Sequence, residues 1–121
     1  MSDQVTFSQL GAAAVVRVAG EIDMANAPAV GRAIVRHLTD AGAVLIDLTD
    51  VTFLDSAGVR LLDVLVGDLD DHGTPMRFVV DAGGAAQKTL ELCAFRDDLL
   101  TTDLKQAADE LNSQSAYPGA P

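Results

Sequence analysis

A chain of 121 residues with 49 % hydrophobic and 21 % charged side chains has the length of one domain, and enough apolar material to close a core without a metal or a disulfide. Eighteen acidic residues against eight basic ones give a formal charge of −10, and Arg17, Arg32, Arg36, Arg60, Arg77, Lys88, Arg96 and Lys105 are scattered, which with the scarcity of aromatics argues against nucleic-acid binding through a basic patch or a base-stacking platform. The single Cys93 excludes an internal disulfide and a Cys-rich zinc site, no apolar run approaches the roughly 18 residues of a membrane span, and with no recognisable leader the expected setting is the cytoplasm.

In chain order, Val5, Phe7 and Leu10 suggest a first strand, Gly11 a turn, and Val15, Val16 and Val18 a second strand ended by Gly20. Asn26 and Pro28 signal a helix start. Val30, Ala33, Ile34, His37 and Leu38 continue at helical spacing until Gly42. Ala43 to Leu48 is a short apolar run that reads as a strand covered on both faces. Leu61, Leu62, Leu65, Val66 and Leu69 form the stripe of a second helix ending near Gly73, and Met76 to Val80 is the next strand, parallel to its predecessor. Ala85 to Phe95 predicts a third helix in which Leu90, Leu92 and Cys93 are apolar, with Cys93 expected in the core. Leu99 to Thr102 fits a short edge strand, and Asp103 caps a last helix through Leu111. The polar remainder reads as a flexible tail.

Several chemistries lack their residues. There is no GxGxxG, no GxxxxGK[ST] and no GxSxG. The acids Asp68, Asp70 and Asp71 lack EF-hand spacing, so no metal or cofactor is expected. His72 lies at the far end of its helix from Ser56, about 20 Å away at roughly 1.5 Å per residue, too far to activate that hydroxyl.

One constellation stands out. Asp55-Ser56-Ala57-Gly58 joins a buried strand to an amphipathic helix, with Asp55 or Ser56 as the cap. Ser at a helix start is commonly no more than a cap, Gly58 fits close packing of the first turn, and Asp23 fits a turn after a strand.

The segment VLIDLTDVTFLDSAGVRLL, Val44 to Leu62, closely resembles the central motif of STAS-domain anti-sigma factor antagonists, and GEIDMANAP, Gly20 to Pro28, resembles that family's second signature. LELCAFRDDLLTTDLKQAADEL, Leu90 to Leu111, is similar to its final helix, short strand and helix. The similarity covers about residues 3 to 112, and one departure is Asp81-Ala82 where the family often carries Asn-Pro.

The resemblance implies an α/β fold: a single STAS-type domain over residues 1–112, with a mixed four- to five-stranded sheet and about four helices mainly on one face, followed by a flexible tail over 113–121. It implies a non-enzyme whose partner is both anti-sigma factor and serine kinase. The unphosphorylated form binds that partner and frees a sigma factor, phosphorylation at Ser56 ends binding, and a PP2C-type phosphatase restores it. ATP and Mg²⁺ belong to the kinase. The expected contact surface comprises Asp23, Met24, Asn26, Asp55, Ala57, Gly58, Val59, Arg60 and Asp63, and a monomer is the default state. The alternatives are a STAS-like scaffold in another signalling or transporter complex, a small-molecule module, and a hydrolase using Ser56 as nucleophile.

Overall fold

Apolar residues at alternate positions of the strands and at helical spacing elsewhere leave two faces of one sheet to be covered. A computed structural model of the protein, in which residues 4–38 and 41–115 are described, shows how this is done. The order is β1 (Val5–Leu10), β2 (Ala13–Ile22), α1 (Ala27–Arg36), β3 (Ala43–Leu54), α2 (Ser56–Asp71), β4 (Met76–Val79), α3 (Ala85–Leu92), a 3₁₀ turn (Asp97–Leu99), β5 (Leu100–Thr101) and α4 (Leu104–Ser115). The five strands lie side by side in sequence order. β1 is antiparallel to β2, and β2 through β5 are mutually parallel.

The central strand explains the layering. Val44, Ile46 and Leu48 of β3 share a core with Val30 and Ile34 of α1, Leu62, Leu65 and Leu69 of α2, and Ala86 and Leu90 of α3. Ala43 and Leu45 point the opposite way, joining Ala13, Val15 and Val79 beneath Ala107, Ala108 and Leu111 of α4. Three helices therefore cover one face and one covers the other, so the run from Ala43 to Leu48 is buried throughout. Asp47 is the buried charge in this run. Its carboxylate accepts hydrogen bonds from Thr49 N (3.0 Å), Thr49 Oγ1 (2.7 Å) and Arg17 Nε (3.3 Å), which offsets its desolvation.

Several boundaries differ from the sequence expectation. β2 continues past Gly20 to Ile22, because Gly20 adopts φ +80 and takes up a register shift against β3 without ending the pairing. α1 stops at Arg36, well before Gly42. His37 N–H and Leu38 N–H donate to carbonyls three residues back, Ile34 O and Val35 O, each at 3.1 Å, tightening the last turn. α3 ends at Leu92, not Phe95. Ala94 enters the left-handed region at φ +52, Phe95 N–H donates to Leu90 O at 2.9 Å and Ala94 N–H to Glu91 O at 3.1 Å. This pattern is a Schellman motif, and Phe95 and Leu90 are both buried in the same core cluster. It turns Leu92 and Cys93 outward: Leu92 is 88 % exposed and Cys93 is exposed, against the expectation of a core thiol.

α4 runs to Ser115, into the segment expected as a tail. Asn112 is part of the fold, since its Oδ1 accepts from Ala12 N at 2.7 Å and its Nδ2 donates to Leu10 O at 3.1 Å, clamping the β1–β2 turn. The rest of the expected tail, 116–121, lies outside the described residues.

Candidate functional site

The C-terminal ends of β2 and β3 lie next to each other in the sheet, with Ile22 opposite Leu54. Each strand is followed by a turn into a helix, so Asp23–Asn26 and Asp55–Ser56 emerge together. Asp55 joins the two turns. Its Oδ1 accepts from Gly58 N at 3.0 Å, capping α2, its Oδ2 accepts from Met24 N at 3.0 Å, and its own N–H donates to Ile22 O at 3.2 Å. Asp55 is therefore the N-cap that sequence left between two residues, and Ser56 is the first helical residue, with its side chain exposed.

Gly58 is buried directly over these strand ends. A Cβ there would run into Leu54 Cδ1 and lie 3.1 Å from both Ile22 Cγ2 and Ile22 O. Only the absence of a side chain lets the first turn of α2 descend this far. Gly58 therefore seats the helix and presents no side chain outward.

Asp23 and Asn26 organise the neighbouring turn. Asp23 Oδ1 accepts from Ala25 N (3.0 Å) and Asn26 N (3.1 Å), an Asx turn. Asn26 Oδ1 accepts from Asp23 N at 2.9 Å, and Asn26 Nδ2 donates to Glu21 O at 2.8 Å. Asn26 occupies the cap position of α1 but makes no side-chain bond to the helix; its amide locks the turn behind it. The turn lifts Met24 to 77 % exposure.

On the other side of Ser56, Val59, Arg60 and Asp63 line an open groove of about 440 Å³ whose opposite wall is Cys93, Ala94, Phe95 and Arg96. Ala57 and Val59 are half-buried, while Arg60 and Asp63 are exposed. Arg96 donates to Asp98 through Nε (3.0 Å) and Nη2 (2.9 Å). That fork holds the Asp98 carboxyl below the usual carboxylate range. It also raises the Arg96 guanidinium, with smaller contributions from Asp70 and Asp63.

Met24, tied to Asp55 through its N–H, lies on one flank of the α2 start, Val59, Arg60 and Asp63 line the groove together with Ser56 on the other, and Gly58, expected at the contact surface, is buried beneath them. The wall at 93–96 was missed by sequence reading, because an uninterrupted third helix would carry those residues elsewhere. Leu92, two residues beyond Leu90 and off the helical stripe, was the available signal. Both histidines are remote: His72 caps the C-terminus of the 16-residue α2, about 24 Å from Ser56 at roughly 1.5 Å per residue, and His37 caps the C-terminus of α1.

A five-stranded mixed sheet with a β1–β2 hairpin, three helices on one face, and paired turns converging on the start of α2 defines a STAS-type α/β domain. The STAS domain profile matches residues 4–110, and the chain belongs to that family. Among solved structures it is similar to an anti-sigma factor antagonist from Mycobacterium paratuberculosis, with 30 % identity over 88 % of this chain and 92 % of that one and a TM-score of 0.76. SpoIIAA in its unphosphorylated form shares 14 % identity over 90 % of this chain and 96 % of that one, at a TM-score of 0.73. A serine-to-glutamate variant of RsbS from Moorella thermoacetica shares 15 % over 94 % of this chain and 99 % of that one, at 0.75. The last two likenesses speak for the fold. No curated protein sequence matches the chain significantly.

Asp55→Ala removes the cap and the link to Met24 together. The expected cost is about 1–2 kcal/mol, read by urea denaturation, with faster hydrogen exchange at the Gly58 and Met24 amides. Unchanged exchange at Met24 would remove the tether between the turns from this account.

Proposed function

We propose that this protein is a cytoplasmic anti-sigma factor antagonist, a binding module and not an enzyme, whose association with an anti-sigma serine kinase is switched by phosphorylation of Ser56. The observation that carries the proposal is the division of labour at the α2 start: Asp55 caps the helix, and Ser56 stands exposed at its first residue. A Ser used as the cap would have its oxygen engaged by the backbone; this one is left to face a visiting kinase.

The physical chemistry of the position supports the switch. Phosphate adds about 1.5–2 negative charges. At a helix N-terminus the dipole favours such a charge by about 0.3–1 kcal/mol, so the fold accepts it. A docked partner does not, because an unpaired dianion in an interface, or one facing an acidic patch, costs several kcal/mol. The surface around Ser56 suits docking: Met24 supplies an exposed apolar anchor, Val59 a half-buried one, and Arg60 and Asp63 supply charges of both signs. The antagonist similarity of the Mycobacterium paratuberculosis structure adds to this reading.

The test is to incubate the protein with ATP, Mg²⁺ and candidate anti-sigma kinases, locate the phosphate by mass spectrometry, and follow the complex by size-exclusion chromatography. The expected outcome is modification at Ser56 alone, loss of the complex on modification, its return with a PP2C-type phosphatase, and a persistent complex with Ser56→Ala. Phosphate at another residue, or a complex that survives full modification, overturns the proposal.

A further inference from the structure

The two edges of the sheet are unequal. β5 has two residues, and so short an edge offers little to pair with. β1 has six residues, runs without a register shift against β2, and contains no Pro and no charged residue. Residues 4–16 form the longest stretch of the chain without a formal charge, in a protein whose net charge is −10. Among the described residues, none of the devices that ordinarily blunt an edge strand is present on β1.

The ladder also fixes which backbone groups the edge offers. Ala19 N–H donates to Gln4 O at 2.9 Å, which makes Gln4 and Ala19 a hydrogen-bonded pair. Antiparallel pairs alternate, so Thr6, Ser8 and Leu10 direct their N–H and C=O groups at β2, while Val5, Phe7 and Gln9 direct theirs outward. Phe7 is the middle of these three. Phe7 is 37 % exposed, and its ring stacks on that of His37, the C-cap of α1, at a centroid distance of 3.8 Å.

We infer that β1 is a homodimerisation edge, pairing antiparallel with β1 of a second copy about a two-fold axis at Phe7. Val5 then faces Gln9 of the other copy, Phe7 faces its own counterpart, and every outward N–H and C=O of the three residues is matched, giving about six interchain hydrogen bonds. The occupant is a second copy for two reasons. An identical strand is self-complementary under this operation, and the pairing is closed, because it consumes the long edge of both sheets and leaves only the two short β5 edges. Charge points the same way: two copies at −10 repel over most of their surfaces, and the uncharged edge is where they can approach at least cost. Ser56 follows β3, two strands from this edge, so the pairing leaves the α2 start of both copies open. One strand pair is a small interface, so the dimer is weak, with Kd on the order of tens to hundreds of micromolar.

The experiment is sedimentation equilibrium of the full chain from about 1 µM to 1 mM, with amide hydrogen exchange at both ends of that range. The expected result is a mass rising from 12.6 kDa toward twice that value. Protection should increase with concentration at the Val5, Phe7 and Gln9 amides and stay constant at Thr6, Ser8 and Leu10. Gln9→Pro removes an outward donor and leaves the β2 ladder intact, so it should raise the dimer Kd about tenfold or more with unchanged circular dichroism. A monomer at 1 mM, a dimer indifferent to Gln9→Pro with no concentration-dependent protection at the three outward amides, or protection there only on adding another protein each overturns the inference.

Discussion

Ser56→Glu is expected to weaken binding to the proposed anti-sigma partner by about a hundredfold or more, equivalent to roughly 3 kcal/mol, while the thermal midpoint stays at or slightly above that of the unmodified protein. The two halves of this result have separate causes. Stability is preserved because Asp55, not Ser56, caps α2, and because a carboxylate in the first helical turn is favoured by about 0.3–1 kcal/mol. Binding is expected to be lost because, on the proposed function, the added charge sits at the centre of the docking surface, where the partner must desolvate it. Ser56→Ala is the matched control and should bind as the unphosphorylated protein does. Isothermal titration against the cognate partner and thermal circular dichroism read the two halves independently. A Ser56→Glu variant that binds within a fewfold of wild type would sink the electrostatic account, and one that melts many degrees lower would show Ser56 to be structural after all.

Gly58→Val is expected to be the most damaging single substitution at the site for stability. Its Cβ must occupy space held by Leu54 Cδ1, and it lies 3.1 Å from Ile22 O. The leucine end can rotate; the backbone carbonyl at the end of β2 cannot move without disturbing the pairing of Ile22 with Leu54. Overpacking of this kind costs about 1–3 kcal/mol, and the two branched methyls put Val at the upper end. For a domain of this length that corresponds to a fall of roughly 10 °C in Tm. Gly58→Ala is milder, since a gain of about 1 kcal/mol in helix propensity offsets part of the clash. In both variants the first turn of α2 lifts, the Asp55 link to Met24 lengthens, and partner affinity falls beyond what the loss of folded protein explains. A Val variant melting within about 2 °C of wild type would mean that the turn can rise freely, and that Gly58 does not hold Ser56 in place.

Much of this architecture was legible from local pattern. The run Ala43 to Leu48 announced a strand buried on both faces, and the Leu61 to Leu69 stripe announced α2, because burial imposes periods of two and of about 3.6 on the sequence itself. Asp55-Ser56-Ala57-Gly58 announced a helix start, and its likeness to the family motif drew attention to Ser56. The choice of cap was not legible, since Asp and Ser serve equally well at that position. It was decided by Met24 N–H, thirty-one residues away in sequence, which gives the second oxygen of Asp55 a partner.

The misplaced features share a cause. The end of α3 carries no glycine to mark it, so Ala94 in the left-handed region, stabilised by Phe95 returning to the core, leaves no sign in the local sequence pattern, and neither do the outward turn of Cys93 and the second wall of the groove that follow from it. The role of Asn112, at the expected boundary between domain and tail, has no local signature because the carbonyl and amide it clamps belong to the β1–β2 turn at the other end of the chain. From its amino acids alone this protein's elements, their order and its motif serine followed, because those depend on near neighbours. Which carboxylate caps, where a helix stops, which thiol faces water and what surrounds Ser56 depend on contacts between distant segments, and only the folded chain brings those together.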